Sequence, residues 1–229
     1  MKNKCDLTDK NKNCCSPNTS EPALNLQKHW DKAYLNTSQE KLGWYEVDLS
    51  ATLNLLAKAH LKKDAHILIS GAGSTTLVDE LVALGYTNLT ATDISQVALD
   101  LLAKRIDNEV VRYIVDDLTS PSLLNQLAPV DFWLDRAVLH FFTEKKDQDT
   151  YFDLLKRKVK GGGFVLLAEF SLTGRTKCSG LPVRRYSVAQ FQAHLGAAYQ
   201  LVESFDYAYE KPATGEVRPY VYGLFGRVG

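Results

Sequence analysis

HILISGAGSTTLVDEL, His66 to Leu81, followed by NLTATDIS, Asn88 to Ser95, decides the fold of this chain. His66–Ser70 is a short apolar run suited to a buried strand. Gly71-Ala72-Gly73 then lets the backbone turn tightly and come close to a ligand, because glycine has no Cβ in the way. Ser74-Thr75-Thr76 supplies capping side chains for a following helix, with Leu77, Leu81 and Leu84 as its apolar stripe. The next apolar run ends in Asp93, about 20 residues beyond the turn, where an acid accepts hydrogen bonds from a ribose diol. Strand, glycine turn, helix, strand and acid together predict a nucleoside cofactor lying across the strand ends.

Two cofactor classes use such a frame. A dinucleotide site wants G-x-G-x-x-G, so that a pyrophosphate rests on the helix N-terminus. Here Thr76 occupies the third glycine position. S-adenosylmethionine (SAM) has no phosphate and needs only the first close approach. A glycine turn of an α/β fold without any ligand is the plain alternative.

The 229 residues suffice for one domain with a substantial core. With 45% hydrophobic and 24% charged residues, the composition is that of a soluble globular protein. The 27 basic and 27 acidic residues cancel, which argues against a dedicated nucleic-acid binder. The basic run Lys156-Arg157-Lys158 and Lys160 reads as a solvated helix face. No apolar run nears the ~20 residues that span a bilayer, and MKNKCDLTDKNKN lacks a signal peptide's apolar core. No membrane association and a cytoplasmic location are expected. Cys5, Cys14, Cys15 and Cys178 do not have zinc spacing, so no metal site is expected; free thiols are the plain reading, and a thiolate cluster for a soft metal or metalloid the sharper one. Nothing in the sequence speaks to oligomeric state.

Residues 1–22 are polar and too poor in apolar groups to fold alone, which predicts a disordered tail before one domain over 23–229. Helices are expected over 24–35 and 47–61, the second with Leu49, Leu53, Leu56 and Ala57 as its stripe. Strands then alternate with helices: strands over 66–70, 88–92, 110–115, 130–134 and 164–170, with helices over 75–84, 95–106, 122–127 and 147–158 between them. Gly161-Gly162-Gly163 is expected to turn into the fifth strand. A helix over 187–195 and strands over 199–209 and 217–227, joined by a connector at 211–215, finish the chain. The alternation predicts an α/β, Rossmann-like parallel sheet with helices on both faces.

Five βα units followed by a β-hairpin resemble the class I SAM-dependent methyltransferase fold. The resemblance covers about residues 24–228. It implies a seven-stranded, mostly parallel sheet with one antiparallel strand, SAM as cofactor, and methyl transfer as the activity. ILISGAGS resembles the first SAM motif and places Gly71, Ala72 and Gly73 near the methionine and ribose. The family's acid two positions before the first glycine is replaced here by Ile69. TATDIS resembles the second motif, with Asp93 on the ribose hydroxyls and Ile94 beside the adenine. YIVDDLT resembles the third, with Asp117 at the adenine amino group, Leu118 giving a backbone amide, and Asp116 as the alternative to Asp117. FWLDRAVLHFF resembles the fourth and puts Asp135 and Arg136 at the strand exit, Arg136 among the cofactor-binding residues. VKGGGFVLLAEF resembles the late glycine turn.

HWDKAY and GWYE are similar to a smaller group of these enzymes, which includes uncharacterised bacterial methyltransferases and lysine methyltransferases of a translation elongation factor. That likeness implies that Trp30, Tyr34 and Tyr45 close over the cofactor. Aromatic faces attract the SAM sulfonium by roughly 0.5–2 kcal/mol. Ordinary core packing is the competing reading for these rings.

Methyl transfer requires alignment of the nucleophile with the S–CH3 bond and a deprotonated acceptor. His140 and Asp135 are the candidates for that acid–base work, and Glu169 lies near a strand exit as well. KCSGLPVRRYS, Lys177–Ser187, should border the acceptor cavity, with Cys178, Arg184, Arg185 and Tyr186 recognising substrate or anchoring the loop. The expected acceptor is a small molecule with an N, S or O nucleophile. A protein lysine is the alternative; a nicotinamide-dependent enzyme and a non-catalytic SAM-binding protein are the remaining readings.

Overall fold

Seven strands form one sheet in the order β3-β2-β1-β4-β5-β9-β8. The computed structural model describes residues 25–106, 108–211 and 214–229. The expected tail over 1–22, with Cys5, Cys14 and Cys15, lies outside the described residues. The strands are β1 Ile67–Ser70, β2 Leu89–Asp93, β3 Val111–Val115, β4 Val130–Arg136, β5 Val159–Phe170, β8 Tyr199–Lys211 and β9 Glu216–Arg227. β1 to β5 pair in parallel, and β9 runs antiparallel to both β5 and β8. This is the expected sheet, with its single antiparallel strand. A two-residue hairpin, β6 Lys177–Cys178 with β7 Leu181–Pro182, stands outside it and has no counterpart among the expected elements.

The helices are α1 Leu26–Asn36, α2 Ser50–Lys58, α3 Leu77–Ala83, α4 Gln96–Arg105, α5 Lys145–Lys158 and α6 Val188–Leu195. Alternation along the strands divides the core. Ile67, Ile69, Leu89, Ala91, Phe132 and Leu134 face α2, α3 and α4 on one side. Leu68, Trp133, Val165 and Leu167 face Tyr151, Phe152, Phe191 and Leu195 of α5 and α6 on the other. Each fully buried side chain of this size is worth about 1.5–3 kcal/mol, so both faces of the sheet hold the fold together. Trp133 satisfies its indole by donating to the Tyr151 hydroxyl at 3.1 Å.

Several expected details shift. The 122–127 helix is only a single 3-10 turn over Leu124–Gln126. In α2 the buried positions are Ala51, Thr52, Leu55 and Leu56, followed by Ala59, while Leu53 is half-buried and Ala57 exposed. In α3 Leu84 is 46% exposed, and Val78 takes its place in the core. Thr76 makes no capping side-chain bond; Thr75 Oγ1 accepts from the Leu77 amide instead. Gly161-Gly162-Gly163 lies within β5, not before it, beside a register shift against β4, with Gly162 at φ +75. The basic run over 156–160 is taken up by the chain's own acceptors, with Lys158 on the Asn125 and Leu127 carbonyls and Lys160 on Asp131. No described helix is long and apolar enough to cross a membrane.

Candidate functional site

A cavity opens at the C-terminal ends of β1, β2, β3 and β4, under the N-terminal segment. In open α/β sheets such a position, where strand order reverses, is the general ligand site. Gly71 and Gly73 turn the chain out of β1 at φ +58 and +54, a region that side chains strongly disfavour. Their missing Cβ atoms also make room for the chain's own wall. A Cβ on Gly71 would lie 2.1 Å from Val138 Cγ2, and one on Gly73 2.2 Å from Tyr34 Oη. Ala72 lines the cavity and donates its amide to the Thr92 carbonyl at 2.8 Å.

Asp93 ends β2 facing this turn. Its Oδ2 accepts from the Gly73 amide at 2.8 Å and its Oδ1 from the Ser95 amide at 2.9 Å. Burial pushes its carboxyl up to about 6 against these bonds. Ile94 lines the cavity next to it. At the end of β3 the two acids divide their work. Asp116 accepts from the amides of Asp117, Ser122 and Leu124, which shapes the loop. Asp117 accepts the Thr119 amide and hydroxyl on Oδ1, and its Oδ2 takes no hydrogen bond among the described residues. Leu118 lines the same end. Ile69, standing where an acid was the familiar pattern, is buried in the cavity wall.

The roof is aromatic. Trp30 meets Trp44 and Phe141 edge-on at 5.3 and 4.9 Å, and the Trp44 indole donates to the Tyr34 hydroxyl at 3.0 Å. Trp30, Tyr34 and Trp44 all line the cavity. Tyr45, expected beside them, does not. It packs with Leu42 and Ala98, and its carbonyl accepts from the Tyr209 hydroxyl. Trp44 and Phe141 are the lining rings that sequence reading did not single out, Trp44 being the neighbour of Tyr45 in GWYE. Helix α1 is fixed by Asp31, which accepts from the Ser95 hydroxyl at 2.6 Å. Four carbonyls of the roof loop are held from below: Lys41 by Lys211, Gly43 by Arg218, Trp44 by Arg136 and Tyr45 by Tyr209.

Asp135 and His140 are a correction. Both are 0% exposed, and neither lines the cavity. Asp135 accepts from the Tyr151 hydroxyl at 2.6 Å, and burial holds its carboxyl well above the usual range. His140 lies 2.6 Å from Glu169 and stacks on Phe170. Burial pushes Glu169 up to about 8. These groups brace the loop after β4 from behind and have no access to an acceptor. Arg184, Arg185, Tyr186 and Cys178 do not line the cavity either. Arg184 donates to Gln148, and Arg185 to the Leu172 carbonyl, so the loop-anchor reading holds for both. Cys178 is buried and free. Among the described residues no cluster of His, Cys, Asp and Glu is arranged to hold a metal ion.

Arg136 does line the cavity, but its guanidinium turns away from the nucleoside end. It pairs with Glu46 at 2.6 Å, donates to the Tyr222 hydroxyl at 3.1 Å, and lies over the Tyr220 ring. Burial works against its charge, and Tyr222, Glu46 and Tyr220 outweigh that cost.

Residues 68–167, the segment from β1 through β5, match the family described as Methyltransferase domain. That segment is a methyltransferase domain, and the chain has the class I SAM-dependent methyltransferase fold. EEF1A lysine methyltransferase 2 of Mus musculus is 27% identical to it over 169 residues, 66% of this chain and 68% of that protein. A SAM-dependent methyltransferase from Anabaena variabilis superposes with a TM-score of 0.72 at 13% identity, covering 90% of this chain and 96% of that one. The 1,6-didemethyltoxoflavin-N1-methyltransferase of Burkholderia thailandensis gives 0.62 at 19% identity, covering 89% and 84%. The methyltransferase fold thus accounts for the glycine turn, the two acids and the antiparallel strand together.

Proposed function

We propose that this methyltransferase transfers the methyl group of SAM to a small-molecule acceptor. The observation that carries the reading is the aromatic roof. Trp30, Tyr34 and Trp44 cover the cavity, and four hydrogen bonds to backbone carbonyls tie the roof loop to β4, β8 and β9. A mostly apolar pocket under aromatic rings, with a few polar groups, suits a small acceptor.

The donor set fits the cofactor. Asp93 takes the ribose hydroxyls, Asp117 and the Leu118 amide take the adenine edge, and Ile94 packs on the base. Gly71, Ala72 and Gly73 give the methionine half its close approach. Bound SAM supplies an activated methyl on a sulfonium. Trp30, Tyr34 and Trp44 offer aromatic faces to that cation and exclude water. Tyr34 stays neutral, since burial and the nearby Asp93 raise its hydroxyl well above its ordinary value. The chain's main contribution is then alignment, which can supply roughly 7–11 kcal/mol.

A protein-lysine acceptor is the second reading, favoured by the similarity to the EEF1A lysine methyltransferases. The deciding experiment is radiolabelled methyl transfer from SAM to a panel of small amines, thiols and phenols and, separately, to a proteome lacking this activity. Label in small products supports the proposal. Label confined to one protein band replaces it with the second reading.

A further inference from the structure

We propose that Glu46 is the group that touches the methyl acceptor and takes its proton. The inference deepens the methyltransferase reading and rests on it. Among the described residues, four carboxylates line the cavity: Glu46, Asp93, Asp116 and Asp117. Three of them belong to the ends of β2 and β3. Glu46 stands on the other side of β1. Its partners are Arg136 of β4, which is in register with Ala168 of β5, and Tyr222 of β9, which is in register with the same Ala168. Strand order places β4, β5 and β9 opposite β2 and β3 about β1. A nucleoside seated on Asp93 and Asp117 therefore leaves the Glu46 side of the cavity for the acceptor.

Glu46 is only 6% exposed, and its protein contacts run to one oxygen: Arg136 at 2.6 Å and the Tyr222 hydroxyl at 3.4 Å both meet Oε1. Oε2 has no hydrogen-bond donor among the described residues. A carboxylate gripped on one oxygen, in a residue that lines the cavity, is positioned to accept a proton on the other. The other buried acids cannot substitute, because Asp135 and Glu169 lie behind the wall. In the step, the acceptor's N–H, S–H or O–H bond breaks and its proton passes to Glu46 Oε2. The acceptor's electron pair forms the bond to the methyl carbon. The carbon–sulfur bond breaks, and its electron pair stays on sulfur. The positive sulfonium and negative carboxylate become a neutral thioether and a neutral acid, which is favourable in a water-poor cavity. Burial raises the Glu46 carboxyl above its ordinary value, and Arg136 opposes the rise.

Sinefungin tests this without knowledge of the acceptor. It carries a carbon in place of the SAM sulfur and a protonated amine in place of the methyl, so its ammonium reports the charge facing the transferred methyl. S-adenosylhomocysteine lacks that group. Calorimetric titration of wild type, Glu46→Gln and Glu46→Asp with both compounds should show about tenfold tighter sinefungin binding in wild type, the scale of one charge-assisted hydrogen bond. Glu46→Gln should keep S-adenosylhomocysteine affinity within about threefold and lose the sinefungin preference, and Glu46→Asp should keep part of it. A wild type without the preference, or a Gln variant that retains it in full, overturns the proposal. Should the Gln variant bind neither compound, the Asp variant decides: normal S-adenosylhomocysteine affinity with no preference also overturns it. Failure of wild type to bind S-adenosylhomocysteine at all would instead overturn the methyltransferase reading beneath it.

Discussion

Tyr34 and Gly73 are packed so closely that a single methyl group on Gly73 would meet the tyrosine hydroxyl at 2.2 Å. The glycine turn and the aromatic roof, 39 residues apart in sequence, are therefore one mechanical unit. The cofactor turn is shaped as much by its own lid as by any ligand.

Gly73→Ala should break that unit. The left-handed φ of +54 adds roughly 1–2 kcal/mol of strain for a non-glycine residue, and the clash pushes Tyr34 away from Trp44. S-adenosylhomocysteine affinity should fall by about tenfold or more, since every 1.4 kcal/mol is tenfold, as read by calorimetry. Unchanged affinity would mean that the turn and roof relax independently.

The carboxyl of Asp93 sits at about 6. If its ionised form holds the ribose, binding below that value must first release a proton. Affinity for S-adenosylhomocysteine should then be flat above pH 7 and fall about tenfold per pH unit below 6. Asp93→Asn should bind weakly with no such slope. A wild-type affinity constant from pH 5 to 8 would separate Asp93 from the ligand.

Asp116 and Asp117 should respond differently to alanine. Asp116→Ala leaves three loop amides without their acceptor and should cost about 1–3 kcal/mol of stability in a denaturant melt. Asp117→Ala frees only the Thr119 amide and hydroxyl, so it should cost less, about 0.5–1.5 kcal/mol, and weaken cofactor binding. The reverse pattern would exchange their roles.

Glu169 governs a pH dependence of stability. Its folded value of about 8 lies above its ordinary 4.5, so the folded state holds the proton more tightly than the unfolded one. That contribution is fully present below about 4.5 and is lost as pH rises toward and through 8. Thermal stability should decline across this window in wild type. Glu169→Gln should flatten the decline; an unchanged slope would assign it to another group.

Trp44→Phe keeps a ring in the roof but removes the indole donor to Tyr34. A lost hydrogen bond of this kind is worth about 0.5–1.5 kcal/mol. Stopped-flow release of S-adenosylhomocysteine should quicken by roughly three- to tenfold, with little change in melting temperature. Unchanged release would mean that the bond does not hold the lid.

Local chemistry was legible in the sequence. The glycine turn, the acid ending β2 and the βα alternation follow from short-range pattern, because backbone permission at Gly71 and Gly73 and apolar runs in strands act within a few residues, whereas the single antiparallel strand was implied by the family resemblance. Sequence also brought Trp30, Tyr34, Asp93 and Asp117 to one cavity. Tertiary structure alone decided the rest. Whether Asp135 and His140 face a cavity or the core depends on which side of β4 and its exit loop is covered by α5 and β5, and that burial took both out of reach of an acceptor. Trp44 rather than Tyr45 lines the roof because Arg136 and Tyr209 grip the backbone of that loop and set its rotation. Glu46 closes the GWYE motif, but nothing local gave its carboxylate a role. It gained its place only when β9, nearly 180 residues later, brought Tyr222 beside Arg136, a long-range packing event that no local pattern encodes.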